Sequence, residues 1–90
     1  MAGDITEGQK AAKVACLNHG IEGLLHQDFA SMANAIYTMG PIGDTHWAVR
    51  DYFRRNHKEV ELTQEAVAEI AEATYIALNG YQQIQRINKA

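Results

Sequence analysis

This sequence predicts an all-α fold, a small four-helix bundle with a long C-terminal helix. Three observations carry that expectation. Apolar residues recur at three- and four-residue steps through most of the 90 residues, the period of a helix with one buried stripe. No period-two run rich in β-branched residues reaches four positions, so strand signals are absent. Glycine, proline and capping residues divide the chain into four such periodic stretches. Ninety residues make one domain, spanning residues 1–90.

The first helix is expected from a cap at Asp4 or Thr6 to about His19, burying Ala11, Ala12, Ala15, Cys16 and Ile5. Gly8 should weaken its first turn. Gly20 suits the left-handed residue that ends a helix, with Ile21 folding back toward Cys16. A second helix is expected from about Glu22 to Met39, with Leu25, Phe29, Met32, Ala33 and Ile36 as its apolar stripe. Gly23 and Asp28 leave its start open, and Asp28 could cap a shorter helix. Gly40-Pro41 stops it, because proline cannot continue the hydrogen-bond ladder.

Pro41-Ile42-Gly43 reads as a turn and Asp44 as the cap of a third helix from Thr45 to about Asn56, with Val49, Tyr52 and Phe53 facing the core. A polar connector, His57 to Glu61, follows, with Val60 as an anchor. The fourth helix carries the clearest pattern. Thr63 is its N-cap, and Leu62 and Val67 occupy the two positions of a hydrophobic staple. Val67, Ile70, Ala71, Thr74, Ala77, Leu78 and Tyr81 form its buried stripe, with Glu65, Glu69 and Glu72 on the opposite side. Asn79-Gly80 interrupts the propensity, but the apolar phase continues through Ile84 and Asn88, which favours one helix kinked at Gly80.

A chain this short buries only about 60–65% of its unfolded surface, so it needs reinforcement. Cys16 is the one cysteine, which leaves no intrachain disulfide, and oligomerisation is the remaining common route. The polar N-terminus does not read as a signal peptide, and no apolar stretch approaches the ~18 residues of a membrane span. A reduced cytoplasmic compartment and no membrane are the expectations.

Net charge is −3, which argues against wholesale nucleic-acid binding. The charge is unevenly spread: residues 44–58 hold four Lys or Arg against two Asp, and residues 59–73 hold five Glu and no Lys or Arg. These adjacent blocks could pair within the fold or dock onto a partner.

Chemistry-bearing motifs are sparse. Cys16 and His19, with His26 beyond, are too few and too poorly aligned for zinc, since Gly20 breaks the helix between them. A mid-helix Cys16 on the apolar face lacks both the dipole and the access of a nucleophile. The turn Gly40 to His46 enters a helix N-terminus, a geometry that binds anions, but it has no phosphate-loop spacing and Asp44 would repel a phosphate. No catalytic residue, metal or cofactor is therefore assigned.

The third helix carries more. On a helical wheel Trp47, Asp51, Arg54 and Lys58 line the side away from Val49 and Phe53, with Arg50 beside them. A lone tryptophan among cations suits a contact surface, because Trp and Arg dominate binding hot spots. The plainer alternative packs Trp47 sideways on a neighbouring helix and leaves the charges solvated. Trp47, Arg50, Arg54 and Lys58 are the expected partner-binding residues. On the fourth helix Ile76, Gly80, Gln83 and Ile87 follow a second stripe, with Tyr75 at its edge. It reads either as a self-association face for a homodimer or as a face sandwiched within the monomer. These features favour a small non-enzymatic protein-binding module, such as an assembly subunit, adaptor or inhibitor. The alternative is a nucleic-acid-binding regulator presenting Arg50, Arg54, Arg55 and Lys58.

Overall fold

Four α-helices form in chain order: α1 Ala2–Asn18, α2 His26–Met39, α3 Ile42–Asn56 and α4 Gln64–Lys89. The computed structural model describes the backbone of residues 2–39 and 42–89 and the side chains of residues 5–38 and 44–78. Among the described residues there is no strand. The radius of gyration is 12.7 Å, close to the ~12 Å expected of a compact chain of this length.

Local sequence chemistry explains most of the boundaries. At the end of α1, Gly20 adopts φ +71°, the Gly20 N–H donates to the Leu17 carbonyl at 3.0 Å, and the Ile21 N–H donates to the Cys16 carbonyl at 2.9 Å. That pair of bonds is a Schellman motif, and buried Ile21 closes it against the core as expected. The start of α1 differs from expectation. Helix begins at Ala2, before the Asp4 and Thr6 caps.

The second helix begins at His26 rather than Glu22, because Gly23 at φ +86° turns the chain where a right-handed helix would have to pass. Asp28 then sits in the first turn. Its carboxylate accepts the Leu25 N–H at 2.7 Å, the return arm of a capping box, so it caps from inside α2 and does not begin a shorter helix. Leu25 falls outside the helix and is exposed, not part of the apolar stripe. Phe29, Met32, Ala33 and Ile36 are buried as the stripe requires.

Helix α3 also starts earlier than expected, at Ile42, which places Asp44 in its first turn instead of at its cap. The Gly40-Pro41 stop lies outside the described residues. Thr63 caps α4 as its sequence implies: its hydroxyl accepts the Ala66 N–H at 3.0 Å and its carbonyl accepts the Val67 N–H at 3.0 Å. Leu62 packs against the core that contains Val67, as a staple should.

The core gathers from all four helices. Ala12, Ala15 and Cys16 of α1 meet Met32 and Ile36 of α2, Val49 and Phe53 of α3, and Val67, Ile70, Ala71 and Leu78 of α4. Helix α4 packs against each of the other three, most extensively against α1, whereas the backbones of α1 and α3 make no close approach among the described residues. The two therefore lie diagonally opposed, with α2 and α4 between them. Gly8 has a role beyond weak propensity. A β-carbon there would come within 2.7 Å of Leu78 Cδ2 and 2.9 Å of its Cγ, so glycine permits the close approach of α1 to α4.

Contacts between basic and acidic side chains that join different parts of the fold follow one pattern. Among the described residues each of them uses histidine: His19–Glu69 at 2.8 Å, His46–Glu72 at 3.3 Å and His57–Asp28 at 2.9 Å. Pairs made by the described Lys and Arg residues stay within one helix. Glu69 is thus not simply on a solvated face. It also accepts a hydrogen bond from Asn18 Nδ2 at 2.9 Å, tying the end of α1 to α4. Glu65 and Glu72 are exposed as expected.

Candidate partner-binding pocket

The last two turns of α3 expose Arg50 and Arg54 on one flank, spaced four residues apart and therefore stacked one above the other. The chain then leaves the helix through a turn in which the Val60 N–H donates to the His57 carbonyl at 3.0 Å. That turn returns Lys58, Val60 and Leu62 to the same flank. The result is a hollow of about 230 Å³ with Arg50, Arg54 and Lys58 at its rim and Phe53, Val60 and Leu62 as its apolar lining. Phe53 belongs to the core, and Val60 and Leu62 are half-buried against it, so the floor is continuous with the packed interior.

His57 forms the remaining wall. Its Nε2 lies 2.9 Å from Asp28 Oδ1 and its Nδ1 lies 3.6 Å from Glu59 Oε2. A ring with a carboxylate at each nitrogen is best satisfied as the imidazolium, which donates from both. Accordingly the His57 pKa is raised, first by the hydrogen bond to Asp28, against the opposing effect of burial, and further by the charges of Asp28 and Glu59. Asp28 is 5% exposed. Burial pushes its carboxyl up, but hydrogen bonds from His57, Tyr52 and the Leu25 N–H, with the His57 charge, hold it below the ordinary carboxylate value. Tyr52 donates its hydroxyl to the same Asp28 oxygen that His57 engages. Its pKa is pushed up to about 12, by burial first and then by the bond to that carboxylate. With both nitrogens facing carboxylates, His57 offers no free basic nitrogen, and Tyr52 is committed to Asp28. The cluster locks the start of α2 to the end of α3 and fixes the wall of the hollow.

The cations at the rim are not equivalent. Arg54 Nη2 lies 2.5 Å from Asp51 Oδ1, and Arg55 Nε lies 3.0 Å from Asp51 Oδ2. The Asp51 carboxyl is held below its usual value, first by the Arg54 hydrogen bond. Arg50 and Lys58 make no hydrogen bond or ion pair among the described residues. The basic and acidic blocks therefore do not neutralise each other. His46–Glu72 and His57–Glu59 are the contacts between them, and among the described residues the arginines pair only within their own helix.

Of the four partner-binding residues expected from sequence, the structure brings Arg50, Arg54 and Lys58 together. Trp47 is exposed but borders a different hollow, with Ala35, Asp51, Tyr52, Arg55 and Asn56. It does not join the cationic rim. A helical wheel treats α3 as uniform and misses that the chain turns back after Asn56, which separates Lys58 from Trp47. The apolar lining by Val60 and Leu62 and the His57 wall were not legible as site residues, because each depends on contacts distant in sequence. On the expected self-association stripe, Ile76 is exposed, while Gly80, Gln83 and Ile87 lie outside the residues whose side chains are described. A second apolar feature went unread. Val14 and Leu17 are exposed on α1, and Val14 borders a shallow groove floored by Ala11, Ala15, Ala73 and Ala77.

Cys16 is fully buried, and burial raises its thiol pKa to about 12, with the Asp28 charge adding to the effect. Such a thiol is a poor nucleophile. Among the described residues no three His, Cys, Asp or Glu side chains gather as metal ligands, and no helix is long and apolar enough to cross a membrane. Comparisons with protein-family models, curated proteins and solved structures find no match to this chain.

Proposed function

We propose that this chain is a small non-enzymatic protein-binding module, an assembly subunit, adaptor or inhibitor of a larger complex. Its four helices form a bundle with a long C-terminal helix, and the surface around the end of α3 is its docking face. The observation that carries this reading is the pair Arg50 and Lys58, without an ion-pair partner among the described residues, beside an apolar floor. Cations ringing a desolvated apolar patch make the composite surface on which protein hot spots form. A nucleic-acid backbone fits less well. The cations on α3, Arg50 to Arg55, cover only about 8 Å of helix axis at 1.5 Å per residue, Asp51 interrupts them, and Glu59 and Glu61 follow in the connector. Exposed Ile76 supports self-association through α4 as a separate contact. A cytoplasmic setting fits a chain with one cysteine, held reduced in the core.

Affinity capture from the native host, with and without nuclease, tests the module reading. Partners that survive nuclease and are lost with the Arg50→Glu/Lys58→Glu variant support it. Partners that disappear on nuclease treatment support a nucleic-acid-binding regulator instead.

A further inference from the structure

We infer that the hollow at the end of α3 takes one large apolar side chain of a partner's peptide segment, flanked within two positions by aspartate or glutamate. This rests on the protein-binding reading and names the chemistry of the partner. Size argues for a single side chain. At about 230 Å³ the hollow falls below the ~300–1,000 Å³ typical of sites that enclose a small-molecule ligand. The lining argues for an apolar one, since Phe53, Val60 and Leu62 offer carbon and no hydrogen-bonding side-chain group. The rim argues for acidic flanks. Arg50 and Lys58 stand on the edge of that floor without a counter-charge among the described residues, and Arg54 shares its charge with Asp51.

The acidic groups nearby are held by other side chains or, like exposed Glu61 in the connector, do not line the hollow. Asp51 is held by Arg54 and Arg55 on α3, Asp28 is enclosed by His57 and Tyr52, and Glu59 faces His57. None of them neutralises Arg50 or Lys58. Carboxylates on either side of the anchor would meet those two cations at the partly desolvated rim, where charge complementarity sets register and orientation. The hydrogen bond from His57 to Asp28 and its charge contact with Glu59 hold the wall of the hollow.

Selection from a displayed library of random 12-residue peptides tests this, using the immobilised full chain and counter-selection on the Arg50→Glu/Lys58→Glu variant. Both substituted residues are exposed, and circular dichroism confirms that the variant folds. The expected result is enrichment of peptides with one Phe, Leu, Ile, Met or Trp flanked by Asp or Glu. In fluorescence anisotropy, replacing the anchor by Ala, or the acids by Lys, weakens an enriched peptide at least tenfold. Arg50→Ala and Lys58→Ala each weaken it severalfold. Lys10→Glu/Lys13→Glu, the same charge change placed on α1, leaves it within twofold. Enrichment of no peptide, enrichment without acidic bias, or equal loss with the α1 variant overturns the inference, as does tighter binding of a single-stranded oligonucleotide than of any selected peptide. Failure here alongside a nuclease-resistant captured partner removes the ligand class and leaves the module reading standing. Loss of the captured partner on nuclease treatment removes both.

Discussion

Asp28→Ala removes the carboxylate that the Leu25 N–H, Tyr52 hydroxyl and His57 imidazolium all address. The substitution leaves three donors without their acceptor in a site where Asp28 itself is nearly inaccessible. Removing one partner of a buried pair costs about 3–5 kcal/mol. A 90-residue domain has only ~5–13 kcal/mol in all, at about 0.05–0.15 kcal/mol per residue, so the variant should be marginal at room temperature. His57→Gln, which keeps a donor at the half-buried end of the pair, should cost about 1.5–3 kcal/mol, the range for a hydrogen bond to a charged group.

The pH dependence gives a sharper test. Because the folded pKa of His57 is raised, its contribution is complete below its unfolded value of about 6.5 and is lost as pH rises through the folded value. The Asp28 shift is downward, so its contribution is present above about 4 and is lost as pH falls through the lowered folded value. The pair therefore stabilises most between about pH 4 and 6.5. Urea melts of wild type and His57→Gln at pH 5.5 and pH 8.5 isolate the effect. The stability gap between the two proteins should shrink on going to pH 8.5. A gap independent of pH, or an Asp28→Ala variant as stable as wild type, refutes the latch.

Leu78→Ala should destabilise by about 2–4 kcal/mol, and Gly8→Ala by about 1–2 kcal/mol, because crowding of Leu78 outweighs the gain in helix propensity. The double variant should cost less than the sum of the singles, since the smaller side chain relieves the clash; additive urea midpoints would show that α1 and α4 are not in this contact. Thr74→Val should stabilise by about 1 kcal/mol, because the Thr74 hydroxyl is buried with no hydrogen-bond partner among the described residues. A lower melting temperature for the variant would mean that the hydroxyl is satisfied in solution. Self-association through α4 predicts a wild-type dimer in sedimentation equilibrium at hundreds of micromolar and a monomer for Ile76→Glu. A monomeric wild type defeats that contact.

The helical period of α4 and the Gly20 stop were legible because both depend on residues within one or two turns. Thr63, Val67, Ile70, Thr74 and Leu78 stand where their spacing puts them. Helix starts were less legible, since a good capping residue can equally stand in the first turn, as Asp44 does, and a helix begins late when a glycine turns the chain, as at Gly23. What local pattern does not encode is pairing across the fold. Glu69 reads as a solvent-facing residue on a wheel, yet it holds Asn18 and His19 from a distance of fifty residues. Asp28 reads as a cap, and it is one, but its two further partners arrive from α3 and the connector. The candidate site shares this character: its cations were visible in α3, while its floor comes from the chain's return after Asn56.

The central claim is that a partner docks over Arg50, Lys58 and the Phe53–Val60–Leu62 floor. Backbone amide chemical shifts, followed while a selected peptide or captured partner is titrated into the labelled chain, test it most directly. The account predicts that the largest changes fall on residues 50–62, with little movement at Val14, Leu17, Ala73 and Ala77. Largest changes along the α1–α4 groove, with residues 50–62 unmoved, would contradict it.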